Sequence, residues 1–299
     1  MQNAIVYQAY GLDHVNECRY ALLKLLQVYN LTPPADIALV IYTDTPEVFS
    51  DFEPFFHNII TLNLARPSIE TKSESNLSFA HPEKVEILIS SFQRFGGNVL
   101  HFDTDTYLTS SADVLFEDMA KGAYYLYRGE GQINKSDKLA WHKWERFLST
   151  TPITFNGKKL LFDKNLKMFN ASVIGINNQS KETLQDVLAL TNALQERFPR
   201  HEAEQFAFNY CFQKSGSVKT ADHFIAHYRD LKEFRQLLKT FFAVNTEESI
   251  PNLVKKLHHL DAMAIQQEKN AFEKLPLLHR FFRKFTGKSW KIARYEKWL

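Results

Sequence analysis

Only two cysteines, Cys18 and Cys211, occur in 299 residues, and they stand far apart. Two scattered cysteines read as reduced thiols of a cytosolic protein rather than as a disulfide framework. No apolar run approaches the roughly 18 residues that a membrane-spanning helix needs. The opening stretch "MQNAIVYQAYG" has no basic region leading into an apolar core, so no signal peptide is expected. An excess of one charge is missing too. The formal net charge is +2, which argues against a chain-wide polyanion binder and against a nucleic-acid partner, so any basic patch is local. There is no internal repeat. What is present is an ordinary globular composition, 44% hydrophobic and 23% charged, enough for one large domain or one domain with a small appendage. Aromatic residues are plentiful, at 14% with 25 Phe.

Hydrophobic periodicity divides the first third of the chain into alternating elements. "AIVYQ" (4–8) reads as a buried strand ending at the turn around Gly11, and Cys18, Leu22, Leu25, Leu26 and Tyr29 recur at helical spacing. Pro33 and Pro34 stop that helix. "IALVIYT" (37–43) and "NIITL" (58–62) are further strands, the first ending at Asp44. The polar, aperiodic segment "ARPSIETKSESNLSFAHPEK" predicts a long mobile loop. A helix carrying Val85, Leu88, Ile89 and Phe92 follows, closed by Gly96 and Gly97, and then the strand "NVLHF". This alternation predicts an α/β fold with a mainly parallel sheet.

The second half is less regular. "GAYYLY" (122–127) and "NASVIGIN" (170–177) predict strands, and Leu184, Val187, Leu188, Thr191 and Leu194 mark a helix. "EAEQFAFNYCF" (202–212) predicts another helix and "HFIAHY" (223–228) a short extended piece. Residues 128–168 predict loops and a short helix, and the tail beyond Leu275 is helical and basic.

Ligands of parallel α/β sheets gather at the carboxyl ends of the strands. Asp44, Asp103 and Asp105 fall there. Asp103 and Asp105, one residue apart after an apolar run, suit a hard divalent cation such as Mg2+ or Mn2+, which also bridges phosphate oxygens. A solvated strand end explains the pair as well. A phosphatase nucleophile motif needs a small residue in this neighbourhood, and bulky Tyr107 follows Thr106 instead.

Three ordered stretches narrow the choice. "NVLHFDTDTYLTSSADVLFE", "MFNASVIGIN" and "EQFAFN" resemble, in the same order, the metal-binding Asp-x-Asp block, the Phe-Asn-(Ala/Ser)-Gly-Val strand and the Asp-Gln-Asp-x-Leu-Asn block of family-eight glycosyltransferases. That family includes glycogenin and bacterial lipopolysaccharide galactosyltransferases. Ser172 stands where it usually has Gly, and Glu204, Gln205 and Asn209 match its spacing. A fourth stretch, "IAHYRDLKEF", is similar to the family's closing His-x-x-Gly-x-x-Lys-Pro-Trp. It lacks the Gly, is one residue shorter and has Phe for Trp.

The resemblance implies a GT-A fold, Rossmann-like, with a central mainly parallel sheet flanked by helices and a helical tail. It implies a catalytic domain over 1–235, with a donor-binding half of about 1–110 and an acceptor-side half of about 111–235, and a helical extension over 236–299. It implies a metal-dependent transfer from a nucleotide sugar, a UDP-sugar first, to a glycan or lipid-linked acceptor with retention, as in lipopolysaccharide synthesis. Asp103, Asp105 and His227 would bind Mn2+ or Mg2+, with His223 a competitor for the third place. Glu204, Gln205 and Lys232 would serve catalysis, Lys232 against the leaving diphosphate. Gln8, Ala9, Tyr10, Gly11, Asp44, Lys84 and Asn170 would bind the donor.

Two alternatives stay open, a nucleotidyltransferase and a degenerate binding module. "YQAYGLDHV", with one Gly and no Lys or Arg, lacks the basic Gly-rich loop of the first. Trp141 and Trp144 are placed either on sugar faces or in the core. Residues 276–299 interleave Arg280, Arg283, Lys284, Lys288, Lys291, Arg294 and Lys297 with aromatics. This is the pattern of a helix docked on an anionic membrane surface or packed on its own domain, and it gives an expected location in the cytoplasm, peripheral on the inner face of the membrane.

Overall fold

The computed structural model describes residues 3–62, 83–136, 139–286 and 288–299. The predicted loop over 65–84 lies almost wholly outside them. The chain opens with β1 (Asn3–Ala9), α1 (Gly11–Val28), β2 (Ile37–Thr43), a 3-10 segment (Pro46–Phe55) and β3 (Ile59–Leu62). After the undescribed stretch come α2 (Glu83–Phe95), β4 (Val99–Phe102), β5 (Thr106–Leu108), α3 (Asp113–Ala120) and β6 (Tyr124–Leu126). Next are β7 (Gly129–Gln132), α4 (Leu139–Thr150), a small hairpin of β8 (Thr154–Phe155) and β9 (Lys158–Lys159), β10 (Lys167–Phe169) and β11 (Val173–Ile176). The remainder is α5 (Lys181–Arg197), α6 (Ala203–Ser215), β12 (Val218–Thr220), β13 (Ile225–His227), α7 (Phe234–Val244), α8 (Ile250–Lys256), α9 (Ala262–Glu273) and α10 (Leu277–Phe285).

Seven strands form one sheet in the order β12-β6-β11-β4-β1-β2-β3. β1 runs parallel to β2 and β4, β2 to β3, and β12 to β6. Only β11 is reversed, antiparallel to both β4 and β6. The mainly parallel α/β sheet expected from the sequence is therefore the fold. Helices cover both faces because the strands are apolar on both. Along β1, Ile5 and Tyr7 enter one core, shared with α1, α3 and α7, while Ala4 and Val6 enter the other, shared with α2, α4, α5 and α6.

The C-terminal helices belong to the first of these cores. Phe234, Leu237, Leu238, Phe241, Ile250, Leu257 and Ile265 are buried against α1, and the Tyr20 hydroxyl donates to the Leu260 carbonyl at 2.9 Å. α10 differs: Leu277, Leu278, Phe281, Phe282 and Phe285 are all more than half exposed. The helical pattern expected beyond Leu275 ends at Phe285. A 3-10 stretch over Ile292–Trp298 follows, whose Tyr295 returns to the first core.

Two local pairings decide what meets at the carboxyl end of β4. Because β11 is reversed, its first residues lie beside the last of β4: Val173 pairs with Phe102, and the Asp103 N–H donates to the Ser172 carbonyl at 2.8 Å. Beyond the sheet, β5 and β13 pair with Thr106 opposite His227, and the Tyr228 N–H donates to the Asp105 carbonyl at 3.2 Å. Each pairing brings a distant segment to one of the two aspartates.

Candidate active site

Lys84, Asp103, Asp105, Asn170, Glu204, Gln205 and His227 all line one cavity of about 410 Å3 at that strand end. They come from α2, the turn after β4, the link from β10 to β11, α6 and β13. A larger open depression of about 760 Å3, between the end of α4 and residues 159–165, holds none of the predicted residues.

The carboxylate of Asp103 is engaged by Lys84, whose ammonium is 2.7 Å from Oδ1 and 4.0 Å from Glu204 Oε1. Lys84 also donates to the Ala171 carbonyl at 3.2 Å. Burial pulls the lysine pKa down, but the charges of Asp103, Glu204 and Asp105 outweigh it and leave the group above its ordinary value. Lys84 is a held cation, charged at any working pH.

Asp105 faces the imidazole of His227, with Oδ1 3.3 Å from Nε2. The other ring nitrogen, Nδ1, lies 3.2 Å from the Ser172 hydroxyl. Ser172, off the family pattern in sequence, is thus the residue that orients the histidine. With the hydroxyl accepting from Nδ1, Nε2 presents a lone pair beside a carboxylate, an arrangement that suits a divalent cation. With the hydroxyl donating, Nε2–H bonds to Asp105 and the seat is closed. Two carboxylates and an imidazole fit Mn2+ or Mg2+ chemically. Among the described residues, no group of three or more His, Cys, Asp or Glu side chains is drawn together around one point. A cation reaching all three groups would draw Asp103 away from Lys84.

Behind the aspartates is a polar cluster that the sequence did not suggest. Thr104 is buried and donates to Glu17 Oε2 at 2.9 Å, while His14 Nδ1 lies 3.0 Å from Thr104 Oγ1 and 3.1 Å from Glu17. Arg235 of α7 forks onto the same carboxylate at 2.8 and 3.3 Å. Burial raises the Glu17 pKa, but these donors and the Arg235 charge lower it further, for a net depression. Nothing in the α1 pattern distinguishes Glu17 from a solvated helix acid.

Behind the α6 side of the cavity, Asn209 is fully buried and clamps one residue of β10 at both backbone groups. It accepts from the Phe169 N–H at 2.7 Å and donates to the Phe169 carbonyl at 2.8 Å. Asn170 accepts from the Ser172 N–H at 2.9 Å, shaping the bend into β11.

Asp44 accepts from the Gly11 N–H at 3.1 and 3.2 Å, tying the ends of β2 and β1 together where Gly11 has φ +75°. Gln8, Ala9, Tyr10, Gly11 and Asp44 lie at these two strand ends and outside the lining of the cavity. Lys232 is exposed and also absent from the lining, as is His223; Arg229, three residues before Lys232, lines it. Glu130, Trp141, His201 and Glu202 complete the wall. Trp144 is 1% exposed and stacks on Phe206 at 5.3 Å with rings 4° apart, so it packs the core.

No family model matches the chain, and no curated protein matches it. Among solved structures it is similar to the glycosyltransferase GlyE of Streptococcus pneumoniae TIGR4, at 15% identity and a TM-score of 0.49, over 88% of this chain and 64% of that one. It is also similar to a galactosyltransferase, LgtC, solved in complex with donor and acceptor sugar analogues, at 14% identity and a TM-score of 0.46 over 72% of each chain. A third is mouse xyloside xylosyltransferase 1, at 13% identity and a TM-score of 0.46, over 74% of this chain and 85% of that one. The chain spans less than two thirds of the length of GlyE.

Proposed function

We propose that the chain is a metal-dependent GT-A glycosyltransferase, moving a sugar from a UDP-sugar to a glycan or lipid-linked acceptor with retention. One observation carries the reading: all four sequence blocks, spread from Asp103 to His227, contribute side chains to one cavity at the carboxyl end of β4. Its charge points the same way. Five carboxylates, Asp103, Asp105, Glu130, Glu202 and Glu204, face two permanent cations, Lys84 and Arg229. A diphosphate enters such a site only with added positive charge.

Asp103, Asp105 and His227 would hold Mn2+ or Mg2+, which when bound offsets charge on the diphosphate. Lys84 holds its proton and stabilises the leaving group, with Arg229 in the part the sequence reading gave to Lys232. Glu204, Asn170 and Gln205 orient the donor sugar, and the turn from Gln8 to Gly11 with Asp44 receives the nucleoside. As the bond to the diphosphate breaks, an acceptor hydroxyl would attack the anomeric carbon and pass its proton to the departing diphosphate oxygen. The catalytic domain would cover residues 1–235, and the extension over 236–299 begins inside α7 and shares the first core.

Thermal denaturation with UDP, with and without Mn2+, tests the reading. A metal-dependent rise in Tm is expected, lost in Asp103→Asn/Asp105→Asn; a rise that survives the double substitution refutes the metal seat. Hydrolysis of one UDP-sugar in a panel then separates an enzyme from a binding module. The Lys84–Asp103 ion pair, which occupies a ligand of the seat, favours the binding module as the second reading.

Among the described residues no helix is long and apolar enough to cross a membrane. We also infer that α10 docks on anionic lipid from the cytoplasm: Phe281, Phe282 and Phe285 are 56–74% exposed beside Arg280 and Arg283. Phe281→Glu/Phe282→Glu is expected to abolish flotation with phosphatidylglycerol vesicles at unchanged Tm; equal flotation would refute docking.

A further inference from the structure

In the α6 block the residue after Gln205 is Phe206, at the place where the resembling motif has its second Asp. Phe206 is fully buried and stacked on Trp144, so no carboxylate of α6 follows Gln205 into the cavity. A carboxylate reaches Gln205 from elsewhere. The side-chain amide nitrogen of Gln205 donates to Glu130 Oε2 at 3.1 Å and to the Phe169 carbonyl at 3.0 Å.

Both partners can only accept, so chemistry fixes which end of the amide is nitrogen. With Nε2 committed on that side, Oε1 takes the other. Gln205 and Glu130 both line the cavity, and with Nε2 engaged by two acceptors the oxygen is the end able to accept from a ligand hydroxyl. The two acceptors are not alike. The Phe169 carbonyl is immobilised by Asn209, itself fully buried. Glu130 lies on β7, in a two-stranded ribbon with β10 whose register shifts between Met168 and Phe169. That ribbon brings an anion to the amide, and a charge-assisted bond from the NH2 group draws electron density toward Oε1.

We propose that Glu130 is a positioning residue for Gln205, holding and polarising its amide so that the carbonyl oxygen is the end turned toward a sugar bound in the cavity. The inference rests on the transferase reading above for its purpose and on the two hydrogen bonds for its geometry. It places the control of α6 chemistry on a segment remote from every motif block.

Two measurements test it. In NMR of the full chain, the Gln205 side-chain amide protons, assigned by their loss in Gln205→Glu, are expected to be shifted and slow to exchange. Glu130→Ala moves them to free-amide positions. An unchanged Gln205 signal in Glu130→Ala overturns the proposal whatever the activity. In turnover of UDP-galactose or UDP-glucose, Glu130→Ala is expected to lower kcat about 10-fold or more, the scale of one charge-assisted hydrogen bond, at unchanged KM. Glu130→Gln, which keeps an acceptor but not the charge, recovers part of that loss. In a Gln205→Ala background, Glu130→Ala adds nothing further; fully additive losses overturn the proposal. A wild-type chain that hydrolyses neither sugar and binds no UDP fails the transferase reading instead. The amide signal alone then decides whether Glu130 holds Gln205.

Discussion

Replacing Glu17 with Gln tests whether the polar cluster behind the aspartates holds them in place. Glu17 is 2% exposed, and its carboxylate takes hydrogen bonds from Thr104 and from two nitrogens of Arg235. Glutamine keeps the volume and one acceptor oxygen but turns an NH2 group toward one of these donors and removes the counter-charge. Breaking a buried ion pair costs about 3–5 kcal/mol; the Arg235 side chain is 30% exposed, so water replaces part of the loss and about 2 kcal/mol remains. At about 2 cal/mol/K of unfolding entropy per residue over 299 residues, that is a Tm lowered by about 3 °C at pH 7. The sign with pH follows from the depressed Glu17 pKa. Its contribution is complete above the unfolded glutamate value of about 4.3 and is lost as pH falls through the lower folded value. Differential scanning fluorimetry from pH 7 down to pH 3.5 is the assay. The gap between wild type and variant should be constant to about pH 4.5 and then narrow. A gap below 1 °C at pH 7, or one that widens in acid, would refute the reasoning.

Asn209→Leu leaves the half-buried Phe169 N–H without its acceptor and should cost about 1–3 kcal/mol, read as a lower urea midpoint; a loss under 1 kcal/mol counts against the clamp. Gly175→Ala would set a Cβ 2.7 Å from Met119 Sδ and 2.8 Å from Tyr125 Cβ, in the reversed strand between β4 and β6. Overpacking of about 1–3 kcal/mol should lower Tm, and an unchanged Tm would mean that the sheet yields there. Ser172→Ala removes the partner of His227 Nδ1 and should weaken Mn2+-dependent UDP binding about 10-fold in calorimetry, with Tm of the ligand-free protein nearly unchanged.

The parallel part of the sheet was legible because its strands are buried on both faces and so are written as unbroken apolar runs. "IALVIYT" became β2 residue for residue. Asp103, Asp105, Asn170, Glu204, Gln205 and His227 were legible as a set because their blocks are ordered along the chain. The illegible parts depend on pairings between distant segments. Glu130 sits in "GEGQ", whose two glycines read as a turn, and it matters only because β7 pairs with β10. Arg229 and Lys232 are both basic and both follow β13. Only the path of the chain after Tyr228, whose N–H is held by the Asp105 carbonyl, decides which of them reaches the cavity. Trp144 is indistinguishable in sequence from a sugar-stacking tryptophan until Phe206 is seen stacked on it and Phe198 set perpendicular beside it.

The charge of the cavity ties these features together. Lys84 is half-buried among three carboxylates that raise its pKa, so it serves as a permanent counter-ion for Asp103. Asp105 has His227 instead, an imidazole whose tautomer follows from its second partner, Ser172. The two aspartates are therefore unequal: one is paired with a fixed cation, the other faces an imidazole nitrogen able to turn to a metal. A cation entering beside a diphosphate would meet Asp105 and His227 first, and the phosphates would then compete with Asp103 for Lys84. Loosening of Asp103 and binding of the diphosphate would then be coupled, since both draw on the one Lys84 ammonium. On that logic Mn2+ alone should bind weakly and UDP alone should bind weakly, and each should strengthen the other by the same factor. Calorimetric titration of each ligand in the presence and absence of the other measures that factor. A value near one would mean that Lys84 and the metal seat act independently.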